Sequence, residues 1–244
     1  MTSPPRLRRL AADLTAYPAA ALRWLFAGRF RLPGLVLLVF MAVNSLVRLG
    51  LLAFNGDWSL LVPTKLIPIL LLGLLFDLAA ACWWLPPFAL VVAFWPDSRR
   101  SRRPFLMAAT LLLAVTFAVF AFVAAAEFVF WNEFASRFNF IAVDYLIYTR
   151  EVIGNIRESY DLRPLLAGVA LVALAALALV WRPLGRAAAP AGMGLGRRLA
   201  RLAVFLLLPV LAFFTVDGRY KEFTDEVPAV QLAGNGHFEF WYAF

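Results

Sequence analysis

The chain has 244 residues, of which 63% are hydrophobic and only 16% charged. A soluble domain is nearer half apolar, so an ordinary soluble fold is excluded and the polytopic membrane class is indicated. The net charge of +8 comes mostly from arginines in short stretches beside apolar spans, which argues for membrane orientation rather than a nucleic-acid partner.

The first 33 residues form an Arg-rich cytoplasmic leader with Arg6, Arg8, Arg9, Arg23, Arg29 and Arg31. It lacks a compact apolar core followed by a small-residue cleavage site, so the first span is expected to remain as an anchor. The expected fold is all-α: five transmembrane helices over 34–216 and an external amphipathic interfacial helix. The spans run over about 34–54, 66–85 (or on to Phe94), 105–126, 165–181 and 202–216, each near the length that crosses a hydrocarbon core. Pro86 and Pro87 remove two backbone donors and disfavour helix at Leu85. Residues 88–95 are therefore expected as a separate or re-entrant piece, or a kinked extension. Cys82, the single cysteine, lies within the second span and cannot form an internal disulfide. No Cys/His spacing suits a metal.

Basic residues concentrate in the leader, in Arg99, Arg100, Arg102 and Arg103, and in Arg182, Arg186, Arg197, Arg198 and Arg201. The positive-inside rule then puts the N-terminus in the cytoplasm and the C-terminus outside. An odd number of spans agrees. The stretch 182–201, rich in Gly and Ala, reads as a flexible loop without chemistry.

Residues 127–163 form an external segment. Phe134, Phe138, Ile141, Tyr145, Tyr148, Val152 and Ile156 recur every three or four residues, an apolar stripe on one side of a helix. Such a helix suits the membrane surface. It is either a lid packed on the bundle or a platform that guides a lipid head group. Residues 217–244 are expected as an external linker.

Two charges inside spans stand out. Asp77 is about 11 residues, or roughly 16 Å, into the second span, where a carboxylate needs a partner or water. Arg48 is its natural partner, and Asn44 lies one turn from Arg48 on the same helix face. A buried Arg48–Asp77 pair with Asn44 nearby is expected, either as a lock on helix register or as a site for a lipid phosphate or ion. Glu127 reads as an interfacial anchor and His237 as an ordinary loop residue. Arg150, Arg157 and Arg163 would hold anionic head groups or pair with Glu151, Glu158 and Asp161.

Four stretches carry a family resemblance: Gly73-Leu-Leu-Phe-Asp77-Leu, Arg137-Phe-Asn-Phe-Ile-Ala-Val-Asp-Tyr-Leu146, Glu151-Val-Ile-Gly-Asn-Ile-Arg-Glu-Ser-Tyr160 and Gln231-Leu-Ala-Gly-Asn-Gly236. With them the chain resembles the membrane-anchored phosphoglycerol transferases, the lipoteichoic-acid-synthase-like proteins of the alkaline phosphatase/sulfatase superfamily. The resemblance covers the membrane half of such a protein. It implies transfer of a phosphoglycerol or phosphoethanolamine head group from a membrane lipid to a cell-envelope glycan or glycolipid, in a bacterial cytoplasmic (inner) membrane. The chemistry would belong to a sulfatase-like domain in cis, with a metal-bound threonine and a divalent metal, manganese by resemblance. No part of this chain matches that domain, so no catalytic residue is assigned here. Asp144, Tyr145, Arg150, Asn155 and Arg157 are the candidates to face the lipid or the external domain. The alternatives are a stand-alone membrane scaffold or subunit that binds a separate partner, and a small transporter. The absence of an internal repeat argues against the transporter.

Overall fold

The computed structural model describes residues 19–139 and 161–243, together with positions 141, 154 and 158. Among the described residues every regular element is helical. Five helices are long and apolar enough to cross a membrane: α1 (Arg31–Asn55), α2 (Pro63–Phe94), α3 (Arg102–Phe134), α4 (Leu162–Ala187) and α5 (Leu195–Thr215). Two short helices follow, α6 (Val227–Ala233) and α7 (Gly236–Tyr242). The Asp144, Tyr145, Arg150, Asn155 and Arg157 candidates, and most of the expected amphipathic helix, lie outside the described residues.

α1 is central and packs on α2, α3 and α4, while α2 also carries α5, α6 and α7. The core is aromatic, with Phe30, Phe40, Phe76, Phe88, Phe117, Phe120 and Phe205 buried. The outside is apolar as well: Leu179 is 80% and Phe214 79% exposed. Helices apolar all round suit a hydrocarbon surrounding, where water-driven burial no longer sorts the faces.

Local chemistry explains where the helices stop. α1 ends at Gly56, whose φ of 70° closes the helix in the left-handed region. α4 begins after Asp161, whose carboxylate accepts from the Arg163 N–H at 3.0 Å and caps the first turn. α3 ends at Ala135, which has a φ of 49° despite its Cβ. That turn costs about 1–2 kcal/mol, and it points the following residues back toward the bundle.

Several expectations change or are narrowed. Of the readings of the second span, the one that runs on to Phe94 holds: α2 is one helix from Pro63 to Phe94 with Pro86 and Pro87 inside. Each proline forfeits one backbone bond, whereas leaving the helix in apolar surroundings would orphan many more donors and acceptors. The stretch 182–201 is largely ordered by helix, since α4 runs to Ala187 and α5 starts at Leu195. Its short remaining turn is tied down by Asp97, which accepts from the N–H groups of Ala191 and Met193 at 3.1 and 2.9 Å. The third span continues past Ala126 to Phe134, so the first part of the external segment prolongs α3.

Residues 217–243, expected as a linker, are folded against the bundle. A turn over Gly218–Lys221 leads into α6 and α7, and Leu232, Ala233 and Asn235 are fully buried. The segment is fastened at its edges by Lys65–Glu226 and Lys221–Glu239, both at 2.6 Å. Phe76 on Phe238 and Trp83 on Trp241 hold α7 to α2, with ring centroids 4.9 and 6.2 Å apart.

Candidate functional site

α1 and α2 bring Arg48 and Asp77 together, both buried. The pair is bidentate: Nη1 and Nη2 of Arg48 donate to the two carboxylate oxygens, each at 2.7 Å. This fork geometry is the strongest that two such groups form. Arg48 also donates from Nε to the Leu232 carbonyl at 2.9 Å, and from Nη2 to the carbonyls of Gly73 at 3.0 Å and Gly234 at 3.2 Å. Every nitrogen of the guanidinium has a partner, as a buried cation requires. A glycine at position 73 is needed for close approach, because a Cβ there would overlap the Arg48 guanidinium.

Asp77 is completed by Asn235, whose side-chain amide donates to it at 2.7 Å and to the Asn44 side-chain oxygen at 2.9 Å. The other end of that amide accepts from the Phe238 N–H at 3.0 Å and caps α7. Asn44 donates to the Phe40 carbonyl one turn back, at 3.0 Å. Asn235 thus uses both amide donors and its acceptor, and the polar network is closed.

A second buried pair lies beside the first. The Glu127 carboxylate accepts from Arg137 Nε at 2.6 Å. Arg137 Nη1 donates to the Gly234 carbonyl at 2.8 Å, and its backbone N–H reaches the Gln231 side chain at 3.4 Å. One carbonyl, that of Gly234, therefore joins both guanidiniums. A Cβ at Gly236 would overlap the Glu127 carboxylate, so this glycine too admits a charged group against the backbone. The two pairs are formally neutral together, two cations against two anions.

Arg48, Asp77 and Asn44 are thus brought together. Glu127, expected as an interfacial anchor, is a buried ion-pair partner, because Ala135 turns Arg137 back onto it. His237, expected in a loop, is in α7 and buried, its ring 5.0 Å from Phe40, 5.8 Å from Trp84 and 6.0 Å from Phe120 between centroids. Asn235 lies in the Gln231–Gly236 stretch that carries the resemblance, but sequence reading assigned it no role of its own, although Asn is a favoured helix N-cap. Of the four stretches behind the resemblance, three converge here: Gly73–Asp77, the start of the Arg137 stretch and Gln231–Gly236.

Among the described residues no group of three or more His, Cys, Asp or Glu is placed to hold a metal. What the arrangement does chemically is hold a polar chain segment inside an apolar bundle, with its carbonyls spent on arginine. Comparison with protein-family models, with curated proteins and with solved structures finds no match.

Proposed function

We propose that the chain is the membrane domain of a transferase that moves a phosphoglycerol or phosphoethanolamine head group from a membrane lipid to a cell-envelope glycan or glycolipid. In this reading the bundle anchors a sulfatase-like catalytic domain in cis and keeps it close to the lipid donor. The metal and its threonine belong to that domain. The bundle sits in a bacterial cytoplasmic membrane with its N-terminus inside.

One observation carries the reading: Arg48 and Arg137 both grip the Gly234 carbonyl. A domain that must act at a fixed height above a membrane needs a rigid attachment, because a flexible tether spreads its position with length. A segment clamped at Gln231–Gly236 supplies a fixed point of attachment. The sequence resemblance supplies the chemistry.

The test uses membranes of the source cells. An antibody against residues 127–163 reports native mass, and membranes with and without the gene are assayed for transfer of labelled head group from phosphatidylglycerol or phosphatidylethanolamine to the glycan fraction. The reading expects a band far above 27.2 kDa and transfer that disappears with the gene and returns with it. A band at 27.2 kDa with unchanged transfer overturns it and favours a stand-alone membrane subunit.

A further inference from the structure

α5 is the shortest of the five spans, at 21 residues. Between Arg201 near its arginine-rich end and Asp217 beyond its far end lie about 15 uncharged residues, which reach roughly 22 Å as helix, against a hydrocarbon core about 30 Å thick. The ion pair that follows is in the open: Asp217 and Arg219 meet at 2.6 Å, and the Arg219 side chain is 81% exposed. Aromatic rings surround it. Tyr220 donates from its hydroxyl to the Thr215 carbonyl at 3.3 Å. Tyr242 lies beside Gly218 and stacks on Phe238, and Trp241 stacks on Trp83 of α2. Trp83, Tyr220, Trp241 and Tyr242 are all exposed. Exposed tryptophan and tyrosine beside charge are what the boundary between hydrocarbon and water selects.

α2 fixes the height of this collar. Trp83 is about 11 residues, or roughly 16 Å, from the end of α2 at Phe94. Beyond Trp83 the same helix stays apolar and exposed through Leu78, Leu74, Leu71 and Ile67. Leu71 is about 12 residues, or roughly 18 Å, farther out than Trp83, and roughly 120° around the helix from it. Tilting α2 shortens both distances but keeps their order. No flat membrane surface serves both faces. One set above Leu71 would sink an exposed ion pair into hydrocarbon, where a charge is costly. One set at the collar would leave a row of leucines in water. A span shorter than the hydrocarbon is accommodated by thinning the bilayer beside it.

We infer that the leaflet at the far end of the bundle dips on the α5 side, so that phospholipid head groups there descend to the collar of Trp83, Tyr220, Trp241 and Tyr242, while hydrocarbon still covers Leu71 on another face of α2. The inference rests on the bundle spanning a bilayer and not on transferase chemistry, so the transferase reading can fail without it.

The test is spin labelling of single cysteines, introduced together with Cys82→Ser, in liposomes of phosphatidylcholine and phosphatidylglycerol. Collision with oxygen, which concentrates in hydrocarbon, and with a water-soluble nickel chelate, which stays out of it, reports the depth of each label. Tyr220→Cys and Tyr242→Cys are expected to read head-group depth and Leu71→Cys hydrocarbon depth, with the nickel-to-oxygen ratio severalfold higher at the two tyrosine positions. Hydrocarbon depth at the tyrosine positions means a flat bilayer that encloses the collar. Nickel access at Leu71→Cys equal to that at the tyrosines means a flat bilayer set at the collar. A label that neither reagent reaches means that protein covers the site. Each of these three results overturns the inference. Tyr220 and Tyr242 lie at one height, so either alone decides if the other variant does not fold.

Discussion

Arg48 is a consequential residue, because five acceptors from two parts of the sequence converge on its side chain. Truncation to Ala leaves Asp77 buried and unpaired, and such a loss costs about 3–5 kcal/mol. Arg48→Ala is therefore expected to lower the unfolding free energy by that amount in a denaturant titration in detergent. Replacing both charges, Arg48→Met with Asp77→Leu, is expected to recover most of the loss, since apolar side chains of similar volume often serve as well as a buried pair. If the double variant is no better than the single one, the pair is more than a lock. Gly73→Ala forces a methyl group against the guanidinium, and overpacking of this kind costs about 1–3 kcal/mol. At the surface, Asp217 accepts from Arg219 side-chain nitrogens at 2.6 to 3.2 Å, which holds its carboxyl down at about 2. A carboxyl lowered in the folded state contributes above its unfolded pKa and loses that contribution as pH falls through the folded value. Side-chain carbon NMR is expected to show Asp217 titrating near 2, and rising toward the ordinary value of about 3.9 in Arg219→Ala. The pair is largely solvated, so screening leaves this contribution small, and bundle stability is expected to fall only slightly over that pH range.

Among the elements, α6 and α7 are the unusual pair. Each is only seven residues long, too short to be stable alone in water. They persist because their backbone carbonyls and caps are bonded to α1, α2 and the Arg137 turn. Hydrogen exchange tests this directly. The amides of Val227–Ala233 and Gly236–Tyr242 are expected to exchange slowly in the wild type, as parts of a docked core element. In Arg48→Ala and in Arg137→Ala they are expected to exchange together and faster, because each variant removes one of the two donors on Gly234. Protection unchanged in both variants would mean that apolar packing of Phe238 and Trp241, not the clamp, holds the segment. The double Arg48→Met, Asp77→Leu variant separates the two roles: it should regain stability but not protection.

For the whole molecule, the two ends differ in charge, and that difference predicts how it sits. With Cys82 replaced by Ser, Arg100→Cys and Asp225→Cys probe opposite ends. A membrane-impermeant maleimide applied to intact cells is expected to label Asp225→Cys at once and Arg100→Cys only after permeabilisation, as the positive-inside rule requires. The reverse pattern would invert the orientation. α1 carries Arg48 in its second half and follows Arg29 at its start, while α2 carries Asp77 near its middle and ends at Phe94. The buried aromatic core lies between the clamp and the arginine-rich end.

The sequence by itself determined the number and approximate extent of the five apolar spans, since a hydrocarbon core demands long uninterrupted apolar stretches that can be read locally. It also placed Arg48 against Asp77, because two opposite charges at similar depth in apolar spans have few other partners. The tertiary structure alone decided the rest. Glu127 finds Arg137 only because Ala135 turns the chain. Gln231–Gly236 is polar and short, with no periodicity to mark it as buried. It is held in the bundle by donors from Arg48 and Arg137 to the carbonyls of Leu232 and Gly234. Local pattern records what a residue prefers, whereas burial of a polar segment depends on which distant donors meet it.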